Sequence, residues 1–267
     1  MGGSFMNRNI GFLAYATANE GCGYLWDVAN IRRWLRWHSG MERIDVCFAI
    51  SEVLPRRKHE ERFYRKLADR LERGGSFRVV DIVFKSNVGR DFSSWRACVT
   101  RLRPLAQPDD FVLMLNRSAY GPLAPDWYRS YTLPFAQHAD LGVCGSSISF
   151  EYKTHVQTYA WMTRMGIICE LMENFPGDNA RSRTEAIFKG EFGMSQDLMA
   201  RGYGITALAW PDEIFDTSRM HEIQFPHKNF SEQLDDVPFR HWASGDRGWT
   251  RCDLGARLLR LGSRLSV

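Results

Sequence analysis

The sequence predicts an α/β fold, a mostly parallel sheet with flanking helices. Short apolar runs rich in branched and aromatic residues, such as Val79–Phe84 and Phe111–Leu115, suit strands that are covered on both faces. Between these runs, apolar residues recur at the spacing of an amphipathic helix, namely Phe92, Trp95, Val99 and Leu102. The order strand, helix, strand is long enough for a crossover between parallel strands, and strands and helices alternate from Ile10 to Leu115.

The remaining elements follow from similar patterns and from the residues that stop them. The expected strands are Ile10–Ala16, Ile44–Ser51, Val79–Phe84, Phe111–Leu115, Leu141–Ser146 and Ile205–Ala209. Helices are expected from Trp26 to near Gly40 and over His59–Arg73, Phe92–Leu102, Asp126–Gln137, Met165–Phe175 and Gln196–Arg201. Gly74-Gly75 ends the second helix, while Asp91 and Ser195 are placed to cap the third and the last.

The later part of the chain is less regular. Residues alternate in His155–Ala160, so His155, Gln157 and Tyr159 are expected to share one face of a strand. We expect one domain over residues 8–267, with 211–267 as a less regular C-terminal extension and residues 1–5 as a cloning remnant. Leucines interleaved with arginines at 254–265 predict a basic amphipathic helix, which we expect to pack on the domain rather than on a membrane.

Composition narrows the class of protein. Of 267 residues, 44% are apolar and 13% aromatic, which is ample for a core and argues against disorder. The net charge of +4 fits an anionic small ligand, and no base-stacking or groove motif indicates a nucleic acid. The six cysteines lie far apart, so we expect reduced, buried thiols and a cytoplasmic protein. No apolar run reaches the ~20 residues of a membrane span, and we expect no signal peptide.

Two polar clusters follow the carboxyl ends of predicted strands, which is where open parallel sheets bind their ligands. The first cluster is Asn87-Val88-Gly89-Arg90-Asp91 and the second is Asn116-Arg117-Ser118. The first offers a glycine for close approach, an arginine for a diphosphate and a carboxylate for hydroxyl groups. The alternative is that Asp91 only caps a helix and that Arg90 is a surface charge. Neither a G-x-G-x-x-G motif nor a P-loop is present.

In this position the clusters resemble those of glycosyltransferases of the GT-A fold, in particular bacterial rhamnan-synthesis-type enzymes. Those enzymes carry a similar N-x-G-R-D before a helix and an N-D-S-x-x-G-P-like turn after the next strand. The turn here reads Asn116-Arg117-Ser118-Ala119-Tyr120-Gly121-Pro122. The resemblance continues at His155-Val156-Gln157-Thr158-Tyr159, at Glu191-Phe192-Gly193-Met194-Ser195 and at Gly202-Tyr203, and it covers roughly residues 10–210.

The resemblance implies a nucleotide-sugar donor with Arg90 near its diphosphate. The donor-binding residues it implies are Asn87, Gly89, Arg90, Asp91, Asn116, Arg117 and Ser118. Many GT-A enzymes place Asp-x-Asp at this turn, where its carboxylates hold a divalent metal, but neutral Asn and Ser are poor ligands for a hard cation. We therefore expect no metal-ligating residues; a divalent metal could bind without being an essential cofactor. Arg117 would itself neutralise the leaving diphosphate, the alternative being a surface salt bridge.

The resemblance also implies an acid beside the acceptor that takes the proton from the attacking hydroxyl. Glu191 lies in a glycine-flanked loop, where a carboxylate can face a cleft. Asp197 lies in the first turn of a helix, where the helix dipole stabilises a negative charge without any function. Glu191 is therefore the favoured catalytic residue and Asp197 its competitor. The implied acceptor-binding residues are His155, Gln157 and Tyr159.

These features predict a glycosyltransferase that moves a sugar, with rhamnose as the first choice, from a nucleotide-sugar donor with inversion. The expected acceptor is a glycan or lipid-linked glycan of a bacterial surface polysaccharide, with at most peripheral contact to the inner face of the membrane. Two alternatives stay open. One is a metal-dependent transferase that uses Asp91, Asp109 or His227. The other is a degenerate GT-A module that binds nucleotide or glycan without turnover.

Overall fold

The computed structural model describes residues 9–21, 23–150, 152–218 and 237–241. The strands are β1 (Ile10–Ala18), β2 (Arg43–Glu52), β3 (Phe77–Ser86), β4 (Phe111–Asn116), β5 (Ala119–Tyr120), β6 (Leu141–Gly145), β7 (Ile148–Ser149), β8 (His155–Val156), β9 (Ala160–Arg164), β10 (Gly204–Ala207), β11 (Trp210–Phe215) and β12 (Arg240–His241). The helices are α1 (Gly23–Trp34), α2 (Lys58–Glu72), α3 (Arg90–Leu102), α4 (Trp127–Gln137), α5 (Met165–Glu170), α6 (Arg183–Glu185) and α7 (Gly193–Ala200). A π-helical segment, Ala186–Phe192, joins α6 to α7.

Eight of these strands form one sheet in the order β11-β10-β6-β9-β4-β1-β2-β3. The pairs β1–β2, β1–β4, β2–β3 and β6–β10 are parallel, whereas β9 runs antiparallel to both β4 and β6. The edge strand β11 is also antiparallel to its neighbour. The chain is therefore an α/β protein with a mostly parallel sheet, as the sequence predicts.

The sheet is covered on both faces, which explains the continuous apolar strands. Strand β4 shows this directly, because Val112 and Met114 enter one core while Leu113 and Leu115 enter the other. Helices α3 and α7 pack on the first face, and α1, α2 and α4 pack on the second. The side chains of β4 alternate between these two cores because successive residues of a strand point to opposite faces.

Helix α3 is fixed to the centre of the sheet by Trp95. Its ring is fully buried, meets Trp161 edge-on at 5.5 Å and donates a hydrogen bond from Nε1 to the Leu115 carbonyl at 3.1 Å. Because Leu115 ends the apolar run of β4, this bond holds the start of α3 beside the turn that follows β4. Both polar clusters of the sequence therefore meet at one edge.

Several local predictions are wrong. The His155–Ala160 strand is broken into β8 and β9, and β9 inserts between β4 and β6. Helix α5 ends at Glu170 rather than at Phe175. The predicted amphipathic helix at 254–265 and most of the C-terminal extension lie outside the described residues.

Two general predictions can be compared with the described part of the chain. Cys47, Cys98, Cys144 and Cys169 are free thiols, and the first three are buried as expected. Within residues 9–21, 23–150, 152–218 and 237–241, no helix has the length and apolar character needed to cross a membrane.

Candidate functional site

The carboxyl ends of β1, β3 and β4 bring together a group of charged and amide side chains that we call the edge cluster: Lys85, Arg90, Asp91, Asn116 and Arg117. At its centre, Nδ2 of Asn116 donates a hydrogen bond to Oδ2 of Asp91 at 2.9 Å. The two sequence motifs are thus joined although β3 and β4 are separated in the sheet by β1 and β2. The crossover helix α3 makes the connection, because it starts beside β3 and packs across β2 and β1.

Asp91 is not a helix cap, which corrects the prediction. Helix α3 begins one residue earlier, at Arg90, and its N-cap is Gly89, which offers no side chain. Burial raises the pKa of the Asp91 carboxyl, while the Asn116 hydrogen bond and the charges of Arg117, Lys85 and Arg90 favour the ionised form. The charges of three cationic side chains therefore act on the Asp91 carboxylate, an arrangement that can accept an additional anion.

Glycine is required at position 89 for a structural reason, which differs from the predicted close approach to a ligand. Its φ is +75°, and a Cβ atom there would lie 2.0 Å from the carbonyl oxygen of Asp178. Its N–H donates to the Ala180 carbonyl at 2.7 Å. The glycine is thus required by the chain's own loop at 177–180. Asn87 closes the adjoining turn through its carbonyl, which accepts the N–H of Arg90 at 3.1 Å.

Arg117 forms the salt bridge that was the alternative to a ligand contact. Its Nη2 pairs with Glu20, and its Nη1 donates to the carbonyl of Ala18 at 2.9 Å. Ser118 contributes its backbone, since its N–H donates to Oδ1 of Asn116 at 2.9 Å and orients that amide. Because Glu20 is about half exposed, the ion pair is open to solvent and can exchange for another anion.

Lys85 is a member of the edge cluster that the sequence analysis missed. Its Nζ donates to Oγ of Ser51 at 2.9 Å and to the carbonyl of Arg90 at 3.3 Å. Burial lowers its pKa from 10.5 to about 8, against the opposing charge of Asp91. An ammonium has three donors, so one remains for a ligand oxygen. The sequence could have indicated this lysine, because it directly follows an apolar run and precedes the N-x-G-R-D motif.

A second missed group lies behind Arg117. Asp27 in α1 is fully buried, and burial raises its pKa. Three hydroxyl groups donate to its carboxylate, those of Tyr15 at 2.7 Å, Thr17 at 2.9 Å and Tyr64 at 2.8 Å. Asn30 links this network to the edge cluster, because its Nδ2 donates both to the Tyr15 hydroxyl and to the Arg117 carbonyl. The network fixes the backbone that carries Arg117.

The donor set at this edge does not suit a divalent cation. Asn116 is committed to Asp91 and Ser118, and the positive charges of three side chains act on the Asp91 carboxylate. A hard cation prefers several carboxylate oxygens, and neighbouring positive charges would oppose its binding. In the part of the chain that the structure describes, no group of three or more His, Cys, Asp or Glu side chains could hold a metal ion. His227 lies outside the described residues.

Glu191 lies in the π-helical segment Ala186–Phe192 rather than in the predicted loop. Such segments occur frequently at functional sites. Its Oε1 accepts two hydrogen bonds from Thr158, from the N–H at 3.2 Å and from the hydroxyl at 2.8 Å. The next residue, Tyr159, accepts the N–H of Asn116 through its carbonyl at 3.1 Å. One short connection therefore joins Glu191 to the edge cluster.

His241 is a further missed residue near Glu191. Its ring meets that of Tyr159 edge-on at 5.6 Å, and β12 pairs with β5 just after the Asn116–Ser118 turn. Burial lowers the pKa of His241, and the Glu191 charge raises it in part. The neutral imidazole is thus favoured near pH 7. His241 belongs to the region beyond Pro211 in which the sequence shows little periodicity.

Asp197 does not occupy the first turn of its helix, which corrects a second expectation. Helix α7 starts at Gly193 and continues from the π-helical segment, so the dipole argument for Asp197 fails. Ser195 is inside the helix and is not a cap; its Oγ accepts the N–H of Val156 at 3.1 Å. Among the described residues, the Asp197 carboxylate forms no salt bridge.

The predicted acceptor residues do not share one face. The hydroxyl of Ser147 donates to Oε1 of Gln157 at 2.7 Å and lies 3.0 Å from the hydroxyl of Tyr159, so these two converge. His155 is directed elsewhere: its Nδ1 lies 2.7 Å from the Lys153 carbonyl and its ring is 4.4 Å from that of Phe192. The strand is interrupted between β8 and β9, and this interruption separates His155 from the other two residues.

A cavity of about 570 Å³ lies away from the edge cluster, between α2 and the edge strand β3. Its walls carry both signs of charge, including Arg56, Glu61, Asp69 and Glu72, and they contain none of the sequence-predicted site residues. The charged groups converge instead at the carboxyl edge, where the ligands of open parallel sheets bind.

The fold and the edge cluster define an α/β protein with an anion-attracting group at the carboxyl edge of its sheet. No protein-family model matches the sequence, and a search of curated proteins also gave no match. Among solved structures the chain is similar to the mannosyltransferase PcManGT from Pyrobaculum calidifontis, solved in complex with GDP-Man and Mn2+. That comparison has a TM-score of 0.47 and 9% identity and covers 74% of this chain and 54% of that one.

Two other solved structures show a similar degree of likeness. The S. aureus protein TarS gives a TM-score of 0.43 and 11% identity, covering 79% of this chain and 60% of that one. Mouse xyloside xylosyltransferase 1 gives 0.37 and 6%, covering 61% and 70%. The chain thus spans little more than half the length of the first two. TM-scores below 0.5 do not establish a common fold, so the site described above stands on this chain's own residues.

Proposed function

We propose that the chain is a GT-A-like glycosyltransferase that uses a nucleotide-sugar donor. The observation that carries the proposal is the edge cluster, in which Lys85, Arg90 and Arg117 all act on one carboxylate at the ligand-binding edge of the sheet. A group of three cations of this kind suits a diphosphate, since arginine offers bidentate donors and lysine a point charge. The motif resemblance of the sequence supports the same donor class.

In the proposed reaction an acceptor hydroxyl attacks the anomeric carbon of the donor. A new carbon–oxygen bond forms while the bond to the diphosphate breaks, and the nucleoside diphosphate leaves with the electron pair. Lys85, Arg90 and Arg117 would stabilise its charge, and Asp91 would accept a hydrogen bond from a sugar hydroxyl. Direct in-line attack would invert the anomeric configuration.

Glu191 is the proposed general base. Thr158 occupies its Oε1 with two hydrogen bonds, and among the described residues Oε2 receives none, so Oε2 would take the acceptor's proton. The hydrogen bonds fix the carboxylate's orientation, which supports this role. Asp197 has no comparable link to the edge cluster, and Gln157 and Tyr159 remain proposed acceptor contacts.

The finer features of the proposal come from the motif resemblance. We propose rhamnose as the sugar, a glycan or lipid-linked glycan of a bacterial surface polysaccharide as the acceptor, and the cytoplasm, at the inner face of the membrane, as the location. We also propose that the reaction needs no essential divalent metal, since the neutral side chains of Asn116 and Ser118 stand where carboxylates would hold one.

Nucleotide release from a panel of UDP-, GDP- and dTDP-sugars tests the proposal. We expect one donor to be hydrolysed slowly without acceptor and to release its nucleoside diphosphate in the presence of chelator. The replacement of Asp-x-Asp by Asn116-Arg117-Ser118 favours a second candidate, a module that binds without turnover. Tight nucleotide binding with no hydrolysis or transfer would support that candidate, and the absence of nucleotide binding would contradict the proposed transferase.

A further inference from the structure

Two exposed aromatic rings lie close together at the π-helical segment that carries Glu191. Among the large apolar side chains of the described residues that are exposed, only Tyr152 and Phe188 are aromatic, at 76% and 50% exposure. Their ring centres are 5.8 Å apart, and both contact the buried ring of Phe192, at 6.1 and 5.2 Å. Exposing so much ring surface costs free energy in water, so a pair of this kind indicates a binding surface.

The backbone holds both rings in place. Tyr152 has a φ of +65°, which is uncommon for a residue other than glycine. The residues after it are fixed, because the Lys153 carbonyl contacts His155 and the Thr154 carbonyl accepts a hydrogen bond from Gln196 at 3.0 Å. Phe188 is held by the π-helical segment, which also carries Glu191. Phe188 and the proposed base therefore lie on one helical segment, and both exposed rings contact Phe192 of that segment.

We propose that Tyr152 and Phe188 form an acceptor subsite that stacks on the apolar face of a sugar ring, an inference that rests on the proposed function. The size of the surface favours a small ligand. Two aromatic side chains bury about 150–250 Å² each, whereas a stable protein interface needs about 800 Å² per partner. The C–H groups of a pyranose suit the electron-rich faces of aromatic rings, and its hydroxyl groups stay in water.

The position of the Tyr152–Phe188 subsite sets which sugar of the acceptor glycan binds where. The sugar that reacts would lie at Glu191, and its neighbour in the glycan would stack on Tyr152 and Phe188. The subsite would therefore select acceptors of at least two sugars over monosaccharides. The edge cluster, where we place the donor, is linked to Glu191 through Thr158 and Tyr159, whereas the two exposed rings contact Phe192.

The test measures binding of mono-, di- and trisaccharides of rhamnose, mannose and glucose by saturation-transfer NMR, with nucleotide affinity measured in parallel. We expect wild type to bind a di- or trisaccharide better than the monosaccharide. Tyr152→Ala and Phe188→Ala should each weaken that binding about 3- to 10-fold, and Tyr152→Phe should retain it. Leu133→Ala is the control, since Leu133 is 56% exposed on α4. Nucleotide affinity should be unchanged in all variants.

Two saccharide-binding results would overturn the inference while leaving the proposed function intact. One is saccharide binding that is equal in wild type and both alanine variants, and the other is no saccharide binding by wild type that still binds nucleotide. Loss of binding to phosphatidylglycerol vesicles in the alanine variants, with saccharide binding unaffected, would identify a lipid surface as the occupant and also overturn it. A wild-type protein that binds no nucleotide would instead count against the proposed function.

Discussion

Lys85 gives anion binding a pH dependence that an ordinary lysine would not produce. Burial lowers its pKa from 10.5 to about 8, while Asp91 and Cys98 oppose the shift. A bound diphosphate favours the protonated ammonium, so affinity should be highest below pH 8 and should fall as the pH rises above it.

The size of the effect follows from the contact that is lost. A charge-assisted hydrogen bond contributes about 1.5–3 kcal/mol, so the Kd should rise about tenfold to a hundredfold between pH 7 and 10. The last proton of a phosphate has a pKa of about 6, and the charge of the diphosphate group is therefore constant from pH 7 upward. Calorimetric titration with nucleoside diphosphates measures this profile.

Two variants of Lys85 serve as controls for this pH profile. Lys85→Met keeps the length of the side chain and should give a weaker but nearly flat profile, whereas Lys85→Arg stays charged and should bind at both ends of the range. If the methionine variant shows the same slope as wild type, another group titrates and the placement of Lys85 in the site is wrong.

The same pKa has a consequence for stability, with a definite sign. The unfolded chain keeps the Lys85 proton up to pH 10.5, while the folded chain releases it near pH 8, so this group's contribution to stability rises with pH between these values. The difference corresponds to at most about 3.4 kcal/mol, and partial exposure reduces it to about 1–2 kcal/mol. Denaturant unfolding of wild type and Lys85→Met at pH 7 and 10 would show it.

Three further predictions concern other residues. Glu191→Gln should lower transfer by about 10²–10⁴-fold with donor affinity kept, while Asp197→Asn should change turnover little and stability by less than about 0.5 kcal/mol; steady-state kinetics showing the reverse would exchange the two roles. Arg117→Ala should weaken nucleoside diphosphate binding by about 1.5–3 kcal/mol in calorimetry, and wild-type affinity should survive chelator; a complete loss restored by manganese would refute the metal-free site. Gly89→Ala should cost about 1–3 kcal/mol in denaturant unfolding and more than Gly75→Ala, which has a similar φ of +81° but open space around it; equal costs would mean that the neighbouring loop moves aside.

The fold was predictable where each strand buries both faces and is separated from the next by an amphipathic helix. Strands β1 to β4 and helices α2 and α3 lie within two residues of their predicted ends, because glycines and polar caps interrupt clear apolar runs. Strand β9 was missed because Ala160–Arg164 is short and follows an alternating stretch without a turn signal. Its antiparallel insertion depends on long-range pairing that local pattern does not encode.

The site was predictable in position but not in detail. The rule that ligands bind at the carboxyl edge located Asp91 and Asn116, and the structure joins them. Lys85 was missed because a lysine at a strand end usually lies in solvent, and burial that lowers its pKa is a tertiary effect. Gly89 was assigned to a ligand because the loop that approaches it comes from residues 177–180, far along the chain.

The most direct test of the account is a crystal structure of the chain with the nucleoside diphosphate that binds best in calorimetry. The account predicts the diphosphate at the carboxyl edge of the sheet, within hydrogen-bond distance of Arg90 and at least one of Lys85 and Arg117. A nucleotide that occupied the cavity between α2 and β3, or that contacted none of these three cations, would contradict it.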